Sequence, residues 1–207
     1  VIAAASNGRV ATLADLEFHE GAHVYRWKGR ELPSVTQIMR AHGLGFQGFA
    51  PPSALDRGNY CHEAFPLIAE GALEWSIVPG EYVGYCRAAE RYLRETETRI
   101  TDAEVRLVEP DLGYCGTPDA IALRRGVRIL IEVKTGDASD WDVQAAAYVR
   151  MWNRWFPTRT VVAAEGVKLN EDGTYRTETL NIGAAWNVFS ACLVLEHRTR
   201  GRNRRAA

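Results

Sequence analysis

Cysteine is scarce in this chain. Four are spread over 207 residues, at Cys61, Cys86, Cys115 and Cys192, with no Cys-x-x-Cys. That spacing argues against a zinc framework, and at this length no disulfide scaffold is expected. A dominant charge is also missing. Lys and Arg number 25 against 26 Asp and Glu, a formal net charge of −1. The molecule as a whole is no polycation, so contact with a polyanion must come from a local patch. The longest apolar runs are far too short to span a bilayer, and no secretory pattern opens the chain. The expected setting is therefore reduced and cytoplasmic, with no membrane partner. Internal repeats and long linkers are absent too. What is present is 46% hydrophobic residues, enough for one sizeable core and a single domain over 1–207. Residues 1–15 read as a loose arm and 198–207 as a basic tail.

The informative stretch runs from Gly116 to Tyr148. Two β-branched runs flank Arg124-Arg125-Gly126 and predict a hairpin. Asp119 falls on its first strand, and Glu132 and Lys134 on its second. With a side-chain period of two these groups share one face, while Val133 points the other way. Their strand is otherwise apolar, so two acids and a lysine on it need a partner. A divalent cation is the natural one: carboxylate oxygens suit Mg²⁺, and a lysine beside it can hold or deprotonate a water. A structural ion pair on a half-solvated strand is the alternative. Beyond Gly136, Gln144 and Tyr148 lie four apart on one face of a predicted helix.

Taken together, these motifs resemble the PD-(D/E)XK nuclease superfamily in its RecB-like, phage-type exonuclease branch. Pro118-Asp119 matches the "PD", Glu132-Val133-Lys134 the "ExK", and Gln144 with Tyr148 the trailing Gln-x-x-x-Tyr. The resemblance implies an α/β, restriction-endonuclease-like core: a mixed sheet of four or five strands with helices on both faces. It also implies metal-dependent hydrolysis of DNA phosphodiesters. Some relatives carry an iron–sulfur cluster on one early and three late cysteines; only Cys192 is late here, so no cluster is expected.

Elsewhere, Leu16–His19 and His23–Trp27 flank a Glu20-Gly21 turn and predict a small hairpin. Ser34 can cap a short helix with Gln37 at its third position. The hydroxyls of Ser34 and Thr36 near a helix start equally suit an anion, and Pro33-Ser34-x-Thr36 resembles an N-terminal motif of the same branch. Residues 41–52 read as a loop whose Phe46 and Phe49 either pack beneath it or stack bases. On the helix predicted over 53–71, Arg57-Gly58-x-x-x-His62 resembles the branch's Arg-Gly…His motif. There the histidine is a metal ligand and Arg57 a plausible phosphate fork. An imidazole beside carboxylates favours Mn²⁺ over Mg²⁺, and Gly58 would let the helix approach the sheet. A further helix is predicted over 81–97.

The alternation of residues 103–108 predicts the first core strand, with Glu104 either a surface acid or a further acid near the metal. Ser139 is expected to cap a helix running to about Phe156, with Trp141, Met151, Trp152, Trp155 and Phe156 as core. A terminal hairpin is expected around 170–173, then a last helix through about His197.

On this reading Asp119, Glu132, His62 and the Val133 carbonyl hold one or two Mg²⁺ or Mn²⁺ ions. Lys134, whose pKa such a site can depress, positions or deprotonates a water. Gln144 and Tyr148 orient substrate, and Ser34, Thr36 and Arg57 contact phosphates. No base-reading motif is visible, so DNA ends or single strands are the expected substrate. A site-specific or structure-dependent endonuclease and a non-catalytic DNA-binding module are the alternatives. A homo-oligomer or a recombination partner would suit processive digestion, but no stretch predicts one.

Overall fold

The computed structural model describes the backbone of residues 4–6, 9–11, 13–48, 51–137 and 139–206, and the side chains of 13–19, 21–48, 51–137 and 139–200. In chain order the strands are β1 (Ala4–Ser6), β2 (Arg9–Ala11), β3 (Leu16–His19), β4 (Val24–Trp27), β5 (Arg30–Leu32), β6 (Arg99–Ala103), β7 (Leu107–Glu109), β8 (Tyr114–Gly116), β9 (Ala120–Arg124), β10 (Val127–Lys134), β11 (Ala163–Leu169) and β12 (Tyr175–Leu180). The α-helices are α1 (Val35–Ala41), α2 (Pro52–Glu70), α3 (Gly80–Glu95), α4 (Trp141–Trp155) and α5 (Ile182–Ala206).

Five strands form the central sheet in the order β12-β11-β10-β9-β6. It is mixed: β10 runs parallel to β11, and the other neighbours are antiparallel. β10 lies in the middle and is covered on both faces, which is why its sequence reads as a nearly unbroken apolar run. Leu130 turns into the core shared with α4, and Ile129, Ile131 and Val133 into the core shared with α2 and α3. The α/β architecture, a mixed sheet of five strands with helices on both faces, is as expected. The β9–β10 hairpin turns through Arg125 and Gly126, both at positive φ (48° and 80°), the geometry that two-residue hairpins favour.

Several boundaries differ from expectation. The first core strand is β6, ending at Ala103, not a strand over 103–108. Glu104 sits at φ 50°, which breaks the strand, and β7 pairs instead with β8 in a separate two-stranded sheet. Within residues 1–15, β1 pairs with β2 and a 3-10 turn forms at Leu13–Asp15; the side chains of 1–12 lie outside the described residues. The predicted N-terminal hairpin is present as β3–β4 and gains β5 as a third strand. α5 continues through 198–206 as helix, where an unstructured basic tail was expected; the side chains beyond 200 lie outside the described residues. No helix among the described residues is long and apolar enough to cross a membrane.

Two close approaches set α4 in place. A Cβ on Gly166 of β11 would stand 2.7 Å from the Trp141 ring, and one on Gly116 of β8 would stand 2.6 Å from Tyr148 Cε1. Only glycine lets the helix settle at that distance. Along its inner side Met151, Trp152 and Trp155 are fully or nearly fully buried. They are core, as read from the sequence, and burial of side chains this size contributes about 1.5–3 kcal/mol each.

Candidate metal centre and active site

The hydrogen-bond ladder between β9 and β10 stops at Ile131 opposite Ala120. One step further the register sets Asp119 across from Glu132, but there the ladder is replaced by a side chain. Asp119 Oδ2 accepts the Val133 N–H at 2.7 Å. Its Oδ1 lies 3.1 Å from His62 Nδ1, which α2 presents. The Glu104 N–H donates to the Asp119 carbonyl at 3.2 Å, so the positive φ of Glu104 turns the chain end of β6 toward the same point. His62, Glu104 and Asp119 each offer a ligand atom, and these atoms lie within 4.8 Å of one another.

Glu132 completes the picture from the other strand. It is fully buried and shares its β10 face with Lys134, whose Nζ lies 3.5 Å from Glu132 Oε2. Glu132 Oε1 is buried with no hydrogen-bond partner. A buried carboxylate oxygen left unpaired costs on the order of 1–3 kcal/mol, more when charged, so a group that supplies positive charge is the expected occupant. Two carboxylates and an imidazole, those of Asp119, Glu104 and His62, form a converging donor set that fits a hard divalent cation of the Mg²⁺ or Mn²⁺ kind. These are the residues that would hold it, and Glu132 lies within the electrostatic reach of Asp119 and His62. Val133 is engaged through its N–H.

Charge in this cluster is shared unevenly. Burial, followed by the Asp119 charge, pushes the Glu132 carboxyl up to about 8 and the Glu104 carboxyl up to about 7. Burial also acts to raise Asp119, but the His62 and Lys134 charges and the hydrogen bonds from His62 and Val133 outweigh it and hold this carboxyl below its usual range. The Asp119 charge raises His62 against the opposing effect of burial. Lys134 is likewise raised: burial alone would lower it, and Asp119 and Glu132 more than compensate. In this ion-free arrangement Lys134 is an ammonium and a donor; the depressed pKa that the sequence reading allowed belongs to a site with a cation beside it.

On α4, Gln144 Nε2 donates to the Tyr148 hydroxyl at 3.2 Å, the i, i+4 contact their spacing implied. Tyr148 is buried, and desolvation together with the Glu132 charge keeps its hydroxyl protonated, well above the ordinary tyrosine value. Gln144 and Lys134 line a cleft of about 130 Å³ with Thr36, Met39, Arg40, Leu44, Gly45, Phe46, Asp137 and Ser139.

The remaining expected contacts divide. Thr36 is exposed and reaches the cleft. Ser34 is buried and committed to the helix start. Its Oγ accepts the Gln37 N–H at 3.1 Å, and its own N–H donates to Gln37 Oε1 at 2.9 Å, a complete capping box. Arg57 donates to the Thr135 hydroxyl at 3.3 Å, just past β10, with its guanidinium over the Tyr85 ring. Gly58 is not a close-approach site, since a Cβ there would meet nothing within 4 Å. Ser139 does not cap α4; Asp140 stands at that position, at φ 58°, with no side-chain capping bond. Phe46 is exposed on the cleft rather than packed beneath its loop, and Phe49 lies outside the described residues. Sequence reasoning missed Arg40 as a cleft residue. Its spacing from Thr36, one helical repeat of four, was the available signal.

No family model matches this chain, and no curated protein does. Among solved structures, the alkaline exonuclease LHK-Exo from Laribacter hongkongensis is similar over 84% of this chain and 82% of its own, with 17% identity and a TM-score of 0.35. A likeness that loose carries no functional conclusion.

Proposed function

We propose that this protein is a metal-dependent deoxyribonuclease with a restriction-endonuclease-like core, hydrolysing DNA phosphodiester bonds without sequence preference, as an exonuclease. The single observation that supports this most is the convergence of Asp119, His62 and Glu104, on a sheet whose neighbouring strand carries the buried, half-unpaired carboxyl of Glu132 and Lys134.

A divalent cation bound by these residues would neutralise charge on the scissile phosphate and make a bound water acidic at neutral pH. The chain's own groups have separable tasks. Asp119 is fixed from both sides by His62 and the Val133 N–H, so its carboxylate needs no reorganisation to act as a ligand. Lys134, held as an ammonium by two acids, donates hydrogen bonds that orient a water or a phosphate oxygen. Tyr148 fixes the Gln144 amide at the mouth of the cleft, where it aligns the substrate. Arg57 and Thr36 supply phosphate contacts. A place in DNA recombination or repair, or in phage DNA processing, suits such an activity.

The test is incubation of the purified protein with 5′- or 3′-labelled single- and double-stranded DNA and with closed circles, in Mg²⁺, in Mn²⁺ and in chelator. Loss of label from ends, abolished by chelator, is expected. Cuts within closed circles would replace the exonuclease by an endonuclease on the same core. DNA binding without cleavage in either metal would leave a binding module and overturn the hydrolase.

A further inference from the structure

The cleft beside Lys134 has a mixed lining. Met39, Leu44 and Phe46 are its large apolar residues, and Thr36, Arg40, Lys134, Asp137, Ser139 and Gln144 are polar or charged. Phe46 is 54% exposed, although it belongs to a loop that is tied down. The Gly45 N–H donates to Asp140 Oδ2 at 2.9 Å, pinning the loop to the start of α4. The backbone at Gly48 lies against the ring, so that a Cβ there would stand 2.8 Å from Phe46 Cζ. A large aromatic held in place yet left half open to solvent forfeits burial energy, and it does so here at the edge of the candidate active site.

We propose that this cleft receives one unpaired nucleobase, stacked on Phe46, so that the enzyme acts on single-stranded DNA. The inference rests on the nuclease reading above and names its substrate class. Three features favour it. Base–aromatic stacking is sequence-tolerant, because every base has a π-face, which matches a site with no base-reading groups. The cleft volume of about 130 Å³ is close to that of a cavity of ~150 Å³ that holds a single benzene ring, which is room for one flat ring. Lys134 and Gln144 share the cleft lining with Phe46, so they are available to the phosphate attached to a stacked nucleoside, and Lys134 adjoins Glu132.

The experiment uses the full chain and a short single strand carrying 2-aminopurine, in chelator so that nothing is cut. Stacking on Phe46 should quench the 2-aminopurine fluorescence. Phe46→Ala should lose the quench and weaken binding about 5- to 150-fold, the range for loss of one stacked base. Phe46→Trp should keep both, and Phe46→Leu, which retains an apolar side chain without the ring, should behave like the alanine variant. Blunt duplex of the same sequence should bind all four proteins alike. Equal quench and affinity for the parent and Phe46→Ala would overturn the stacking proposal. If the parent quenches but cuts no DNA when Mg²⁺ or Mn²⁺ is restored, the nuclease reading fails while the base site stands.

Discussion

Glu132 makes the ion-free protein sensitive to alkali. Its carboxyl rises from an ordinary 4.5 to about 8 on folding. A carboxyl with a raised folded pKa contributes stability that is fully present below its unfolded value and lost as pH climbs through the folded one. The window is therefore about pH 4.5 to 8. At 1.36 kcal/mol per unit the ceiling is roughly 5 kcal/mol, a large part of the 5–15 kcal/mol typical of a domain. Glu104, raised to about 7, acts in the same direction between about pH 4.5 and 7, and His62, raised from its ordinary 6.5, does so from pH 6.5 upward. The lowered Asp119 opposes them only in acid, its contribution being lost as pH falls below 3.8. Urea denaturation in chelator should therefore show a midpoint that falls steadily from pH 5.5 to pH 9. Glu132→Gln should flatten that fall. Mn²⁺ binding requires the ionised carboxylates, so below pH 8 it should release protons, measurable by calorimetry in buffers of differing ionisation enthalpy, and the release should vanish above pH 9. An ion-free midpoint equal at pH 6 and pH 9, with no proton release, would refute the electrostatic picture.

Three substitutions separate chemistry from scaffold. Lys134→Ala should lower the cleavage rate by on the order of 10²–10⁴ while Mn²⁺ binding persists, as read by end-label assay and titration. Gly116→Ala should drive a methyl into the Tyr148 ring, costing about 1–3 kcal/mol of stability in denaturation and slowing cleavage, because Gln144 loses its anchor. Ser34→Ala should cost about 1 kcal/mol through the lost cap, with cleavage per folded molecule unchanged; a large fall in cleavage there would restore Ser34 as a substrate contact.

How far the sequence could be read follows from which features are local. The β9–β10 hairpin was legible because strand period, β-branching and an Arg-Gly turn all agree within 20 residues. The strand over 103–108 was misread because its alternation is real but local; Arg99–Ala103 pairs instead, and the turn at Glu104 is dictated by its contact with Asp119 across the sheet edge. Ser139 carries a good capping side chain, yet Asp140 occupies the position, and its carboxylate goes to the Gly45 N–H, a partner 95 residues away. Asp119, Glu132 and Lys134 could be placed on one face from spacing alone. Their union with His62, and the burial that leaves Glu132 Oε1 unpaired, depends on how α2 docks, which no window of sequence contains.

Anomalous scattering from crystals grown in Mn²⁺ addresses the central claim most directly. A peak bonded to Asp119 and His62, together with Glu104 or Glu132, at about 2.0–2.4 Å, the range for hard divalent ions with oxygen and imidazole ligands, is the predicted result. Crystals with no peak among these side chains at millimolar Mn²⁺, or with Lys134 still against Glu132 and the ion bound elsewhere, would contradict it.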